Sequence, residues 1–248
     1  LAPTIIDLLR VVGAWQLLSP IEQAARRCAA DTEPSVEVAV SPAANRPLLE
    51  IRNLSFGYLG QRRPLINHGD LAVYYGERLL LTGPSGGGKS TLAALLSRLR
   101  PPHAGLLLLN GLDQYTLSPA NWRRQVVMVA QFHENHLFSA SLAFNLLMGR
   151  QWPPREEDLR EAERLCCELG LDDLLHRMPA GLGQRVGEGG WQLSHGERSR
   201  LFIARALLQQ AQVIILDESL AAVDAVNMRA TMRCVLAHAP TLIVIAHP

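Results

Sequence analysis

An α/β fold built on a parallel sheet is what this sequence predicts, and three stretches predict it. QVIILDE and TLIVIAH are continuous apolar runs ending in polar residues, the pattern of central parallel strands buried on both faces. LLLTGPSGGGKSTLAALL sets a glycine-rich turn between an apolar strand and a helix with apolar periodicity. Strands and helices that alternate in this way put a ligand crevice at the C-terminal ends of the strands.

Along the chain, residues 1–30 read as an amphipathic helix with a break or kink at Pro20. Its most apolar run, IIDLLRVVGAWQLLSPI, is interrupted by Asp7 and Arg10 and falls short of the ~18 uncharged residues of a spanning helix. Residues 31–46 carry Pro, Ala and Ser without helical period, as a linker does. A folded region is predicted from 47 to 248. LLEIRNLSFGY alternates like a half-buried strand, and LAVYYGERLLLTG reads as strand, Gly turn, strand. STLAALLSRLR is a helix stopped by Pro101 and Pro102, AGLLLLNG a short strand and turn, and RQVVMVAQ a buried strand. From Phe132 to about Leu208 the pattern turns helical. PPREEDLREAERLCCELG has prolines and acids at its start and a glycine at its end, the usual polarity of a helix. The first residue is Leu1 and the last residues are IVIAHP, so both ends read as those of a fragment of something longer.

Composition narrows the class. Of 248 residues, 48% are hydrophobic and 19% charged, which suits a globular chain and not a disordered one. A net charge of +1 gives no broad basic surface, so nucleic acid is not an expected partner. There is no secretory signal pattern. Cys28, Cys166, Cys167 and Cys234 lack CxxC or Cys/His metal spacing and read as reduced thiols packed on helices.

Chemistry enters at GPSGGGKST: Gly83, Pro84, Ser85, Gly86, Gly87, Gly88, Lys89, Ser90 and Thr91. Glycines at these positions let the backbone turn inward, so that successive N–H groups face a polyphosphate at a positive helix end. Lys89 then reaches the terminal phosphates and Ser90 ligates Mg²⁺. Lys89 is the sole lysine, standing where a compact ammonium on a flexible stem is needed and a planar guanidinium does not substitute. Asp217, delivered to a strand end by the run VIIL, is the expected second Mg²⁺ partner, and Glu218 beside it would hold an attacking water. Gln131 and His247 end the buried runs VVMVA and LIVIA, at the crevice edge. An amide there can sense Mg²⁺, and an imidazole can donate to a γ-phosphate oxygen. Tyr58 in SFGY offers a ring to stack on adenine.

Taken in order, SFGY, GPSGGGKST, VAQ, LSHGE, VIILDE, AAVD and IAHP resemble the ATP-binding cassette (ABC) family over about residues 47–248. The resemblance implies a P-loop core sheet with an antiparallel β subdomain and an inserted helical subdomain of about residues 132–208. It identifies Tyr58, Gln131 and His247 with the A-loop aromatic, the Q-loop glutamine and the switch histidine. Glu218, His247 and Gln131 are then the catalytic set, with Ser90, Gln131 and Asp217 on Mg²⁺. Leu193, Ser194, His195, Gly196 and Glu197 resemble the signature motif, which in that family closes over the ATP of a second cassette paired head to tail. A signature helix N-terminus has no chemistry alone because its ligand lies in another chain's cradle. Asp224 resembles the D-loop aspartate that contacts the partner subunit. RVGEGG, residues 185–190, is similar to an exporter segment that touches the transmembrane domain, and residues 1–46 look like the cytoplasmic end of a last membrane helix running into its cassette. Here His195 stands where glycine is usual, Glu197 where glutamine is usual, and Ser219 where Pro or Ala is common.

The function implied is ATP hydrolysis, with ATP and Mg²⁺, by the motor domain of an exporter-type ABC transporter at the cytoplasmic face of a membrane. Its expected partners are a second cassette, identical or not, and the transmembrane domain of the same transporter. A regulatory cassette with little hydrolysis and a soluble ABC ATPase are the alternatives. Glu218 argues against the first, and the near-neutral charge and GEGG segment against the second.

Overall fold

Two four-stranded sheets organise the computed structural model, which describes residues 46–246 except 59, 61–62 and 132–133. The helix and nearly all of the linker expected before residue 47, and His247, lie outside the described residues. One sheet is antiparallel, in the order β2 (Ile66–Val73), β1 (Leu49–Phe56), β4 (Ala104–Leu109), β5 (Leu112–Asp113). The other is parallel, in the order β3 (Arg78–Leu81), β8 (Thr241–Ile245), β7 (Val213–Asp217), β6 (Val126–Val129). The stretch LAVYYGERLLLTG therefore crosses between sheets: its first strand is antiparallel, and its second begins the parallel sheet after a turn at Tyr74–Glu77.

The apolar run of β7 has a direct cause in packing. All five residues are buried, and alternate side chains serve two different cores. Val213 and Ile215 pack with Leu54, Leu107, Leu109 and Trp122 against the antiparallel sheet. Ile214 and Leu216 pack with Leu146, Leu201, Phe202 and Leu242 on the opposite face. A strand with only one buried face would alternate with polar residues; this one cannot.

Helix α1 (Lys89–Leu96) follows β3, and α2 (Pro119–Gln125) precedes β6. The sequence reading begins the strand at Arg124, and the structure begins it at Val126 because α2 runs on through Gln125. The overlooked signal is Ser118-Pro119: the Ser118 hydroxyl accepts from the Asn121 N–H at 3.2 Å, and proline occupies the first turn. Trp122 of α2 is fully buried and its indole N–H donates to the Leu96 carbonyl at 2.8 Å, closing the end of α1.

Between β6 and β7 stand α3 (Leu142–Leu147), α4 (Glu156–Glu168), α5 (Asp172–Arg177), a 3₁₀ turn (Gly181–Gly183) and α6 (His195–Leu208); α7 (Ala225–His238) joins β7 to β8. Helix α4 ends in a Schellman arrangement: Gly170 N–H donates to Cys167 O and Leu171 N–H to Cys166 O, both at 2.9 Å, with Gly170 at φ 70°. Arg200 of α6 donates to the Leu169 carbonyl at 3.1 Å and to that of Gly170. Arg150 joins the two helices at their other ends, pairing with Asp158 at 2.6 Å and Glu161 at 2.7 Å and donating to Leu208 O at 2.8 Å. Among the described residues no helix is long and apolar enough to cross a membrane.

Strand β1 bulges between Ile51 and Leu54, where Asn53 has φ 54°, and Gly105 of β4 sits against the bulge at φ 97°. A β-carbon on Gly105 would lie 2.5 Å from the Asn53 carbonyl oxygen and 2.7 Å from Leu54 Cα, both backbone atoms. Strain at positive φ and overpacking add here, so Gly105→Ala should lose about 2–5 kcal/mol of unfolding free energy, read as a drop in the urea midpoint at constant slope.

Candidate nucleotide site

The parallel register assembles one edge. Leu81 pairs with Ile245, Ile245 with Asp217, and Val129 with Leu216, so the residues that follow these strands leave the sheet together. Gly83 and the loop to Gly88 follow β3, Gln131 follows β6, and Asp217 and Glu218 end β7. Ala246 follows β8, with its N–H donating to Leu81 O at 3.3 Å.

The loop before α1 is shaped by glycines. Gly86 at φ 75° has nothing within 4 Å of where a β-carbon would stand, which leaves its side open for a ligand. Gly88, at φ 85°, is the N-cap of α1 and brings no side chain to the free N–H groups of the first turn. The Lys89 ammonium donates to Gly83 O at 2.8 Å and Pro84 O at 3.0 Å. That folds it back across the loop with one of its three donors still to place. Ser85 to Thr91, with Tyr58, Leu65 and Glu218, line a single cleft.

Asp217 is fully buried, and neither carboxylate oxygen has a hydrogen-bond partner among the described residues. Burial raises its pKa; the Ser90 hydroxyl and the Lys89 charge offset part of this, while Glu218 and Glu134 add to it. A carboxylate placed in this way calls for a cation. The donor set suits Mg²⁺: Asp217, the Ser90 hydroxyl, and the Gln131 amide, whose Nε2 lies 3.4 Å from Ser90 Oγ. Glu218 sits at φ 48°, a strained backbone position for a residue with a side chain, held by its N–H donating to Ile245 O at 3.1 Å.

Tyr58 shares a 3.0 Å hydrogen bond with the Thr91 hydroxyl, and Phe56 meets its ring edge to face at 5.2 Å. The Arg100 guanidinium carbon lies 5.3 Å from the Tyr58 ring centre, a cation–π contact that covers part of the surface available for stacking. Arg100 went unremarked in the sequence because nothing local in RLRPP distinguishes it from a solvent-facing arginine at a helix end.

The signature residues stand elsewhere: none of 193–197 lines the cleft. Ser194 is the N-cap of α6, accepting from the Glu197 N–H at 3.2 Å, while Glu197 accepts from the Ser194 N–H at 2.7 Å. The glutamate that departs from the family pattern thus completes a capping box and also pairs with Arg177. Burial opposes its ionisation, but the Ser194 bonds and Arg177 outweigh that and hold its carboxyl below the usual range. Leu193 packs partly into the core while Ser194 and His195 are exposed. Gly196 is needed within the chain, since a β-carbon there would stand 3.1 Å from the Ala222 carbonyl. Two residues beyond Ala222, Asp224 caps α7 through Val226 N–H and Asn227 N–H, each at 3.0 Å. The GEGG turn folds on residues 138–141, with Val186 N–H donating to Ala140 O at 2.9 Å and a β-carbon on Gly187 excluded by Phe138 O at 2.8 Å.

A glycine-cradled helix start, a lone lysine across it, and a buried strand-end carboxylate define a nucleoside-triphosphate-binding α/β protein of the P-loop class. The ABC transporter family model matches residues 66–221, and the chain belongs to that family. It is 37% identical over 203 residues to the ATP-dependent lipid A-core flippases of Salmonella typhimurium and Escherichia coli K12, and 34% identical over 201 residues to that of Vibrio cholerae. Each match takes in 80% of this chain and 34% of the flippase, so the chain spans about a third of the relatives' length. The solved structure of a bacterial Atm1-family ABC exporter with ATP bound superposes with a TM-score of 0.71 at 32% identity, covering 92% of this chain and 40% of that one.

A raised Asp217 pKa means that the folded chain keeps a proton where the unfolded chain has lost it. Stability therefore falls as pH climbs from the ordinary carboxylate range through the raised value. Asp217→Asn removes that slope. In cation-free buffer near neutral pH it should melt higher than the parent by roughly 2–4 °C for each kcal/mol recovered, and match it in acid, as read by scanning fluorimetry across pH. For Glu197 the sign is reversed, since its depressed pKa contributes stability that is lost as pH falls through the folded-state value. Glu197→Ala should lose about 1 kcal/mol at neutral pH, whereas Glu197→Gln should keep most of the cap, measured by urea unfolding.

Proposed function

We propose that this chain is the ATP-binding and ATP-hydrolysing motor domain of an exporter-type ABC transporter. One observation carries the reading: a fully buried Asp217, whose carboxylate oxygens have no hydrogen-bond partner within bonding geometry among the described residues, stands near Ser90 at the sheet edge where Lys89 crosses the glycine loop and Glu218 enters the same cleft.

Tyr58 stacks on the adenine, held by its Thr91 hydrogen bond and steadied by Arg100. Residues 83–91 bind the phosphates through loop N–H groups and the Lys89 ammonium. Asp217, Ser90 and Gln131 would hold Mg²⁺, which would supply positive charge to the phosphates. Glu218 accepts the proton of the attacking water, and its strained backbone fixes the carboxylate at the cleft mouth. His247, outside the described residues, donates to the γ-phosphate oxygens.

The second half of the site comes from another cassette. Residues 193–197 do not line their own cleft and α6 is fixed by its capping box, so they close over a partner's nucleotide in a head-to-tail pair, and Asp224 contacts that partner. The exporter assignment draws on the relatives and on one face of the helical unit. There Phe138, Met148 and Trp152 are exposed, the Phe138 backbone lies against Gly187 of the GEGG turn, and Phe144 joins Phe138 and Trp152 edge to face. That face suits a transmembrane domain, with residues 1–46 linking to it, at the cytoplasmic side of the membrane. The division into residues 47–248 as cassette and about 132–208 as its helical subdomain belongs to the same reading.

Steady-state Mg-ATPase assays with isothermal titration test it. Glu218→Gln should lower turnover by about 10²–10⁴-fold while ATP binding persists, and Lys89→Ala should lose binding itself. Turnover by Glu218→Gln equal to the parent's would overturn the assignment of the general base, and ATP binding unaffected by Lys89→Ala would overturn the cradle.

A further inference from the structure

Outside the nucleotide cleft, three side chains of different chemistry converge where two helices end. Glu168 is the last residue of α4; Cys234 and His238 lie four apart on α7, one turn above the other on the same side. The Glu168 Oε2 is 2.6 Å from His238 Nε2 and 3.8 Å from Cys234 Sγ, and the three donor atoms lie within 4.8 Å of one another. Among the described residues this is the one group of three His, Cys, Asp or Glu with donor atoms placed to share an ion. Cys234 and His238, four apart in CVLAH, went unremarked in the sequence because the third donor, Glu168, stands 66 residues before Cys234.

We propose that Glu168, Cys234 and His238 form a binding site for a divalent cation of the zinc class. Thiolate, imidazole and carboxylate together suit a borderline-soft ion better than Mg²⁺ or Ca²⁺, which take oxygen donors. Ordinary Zn–S, Zn–N and Zn–O lengths at a tetrahedral angle require S···O and N···O separations of about 3.6 Å and 3.4 Å. The sulfur–oxygen spacing already has that size, and the nitrogen–oxygen pair has to open by less than about 1 Å, as a cation replaces the direct hydrogen bond.

The surroundings fix the donors in place. Arg164 holds the other Glu168 oxygen at 2.6 Å, turning Oε2 towards α7, the role of an outer partner to a ligating carboxylate. The C-terminus of α4 is fixed by the Schellman bonds and by Arg200, and a β-carbon on Gly170 would meet Asn227 of α7 at 2.8 Å. Cys234 is buried, whereas the Glu168 and His238 side chains are about one-third exposed, which gives an ion a path in and leaves a fourth position for water. Three ligands from two helices make the site a clip between the helical unit and the helix that Asp224 opens. It is independent of the nucleotide reading.

The test is Co²⁺ titration of the whole chain, nucleotide-free and reduced with a non-thiol reagent, followed by Zn²⁺. A thiolate-to-cobalt absorption should saturate at one equivalent and be bleached by Zn²⁺. Cys234→Ser should abolish it. His238→Gln should weaken binding by more than about 100-fold, beyond the loss of an outer partner alone. Cys167→Ser and Cys28→Ser should leave it intact, with circular dichroism showing each variant folded. Absence of the thiolate band in the parent, or a band that survives Cys234→Ser, would overturn the site.

Discussion

The register of three neighbouring strands is the constraint on which the rest of this molecule depends. Because Leu81, Ile245 and Asp217 lie at one level, the glycine loop, the two acids and the segment after β8 leave the sheet side by side. Side chains of β7 lock that register from both faces, since a one-residue slip would exchange the residues that fill the two cores. The same packing buries Asp217 with no hydrogen-bond partner among the described residues, so the apolar environment that fixes its position also makes it a poor place for a bare charge. In the proposed reading a bound cation would relieve this tension and so link nucleotide binding to stability through one side chain.

A second theme is that residues expected to act on a ligand or a partner also hold local structure. Ser194 caps α6, Asp224 caps α7, and Gly196 gives Ala222 room to approach. These bonds set the direction in which the start of α6 points, and through Gly196 and Ala222 they couple that start to the loop that leads into α7. A substitution at any of these positions therefore changes both stability and the proposed pairing, and the two effects separate only when folding is measured alongside association.

Most of the core was legible because its signals are local. VIIL and LIVI are apolar at every position, which only a doubly covered strand requires, and GPSGGGKST demands its backbone shape from its own glycines. What escaped the sequence has two sources. Helix α2 is short, and its Ser118-Pro119 start is brief enough to be taken for loop before the stronger strand signal of VVMV. The assignment of β2 and β3 to different sheets, the Arg100 contact with Tyr58 and the meeting of Glu168 with Cys234 and His238 are long-range facts. They arise from how elements distant in the chain pack, and no window of sequence contains them.

In the proposed function this chain forms half of each nucleotide site and borrows the other half from a second cassette. The most direct test of this pairing is the molar mass of Glu218→Gln by light scattering, with and without Mg-ATP at matched protein concentration. ATP should convert monomer to dimer, and adding Ser194→Arg should abolish this although that double variant still binds ATP. A dimer that forms equally well with Ser194→Arg, or a chain that binds Mg-ATP tightly and stays monomeric at every concentration, would contradict it.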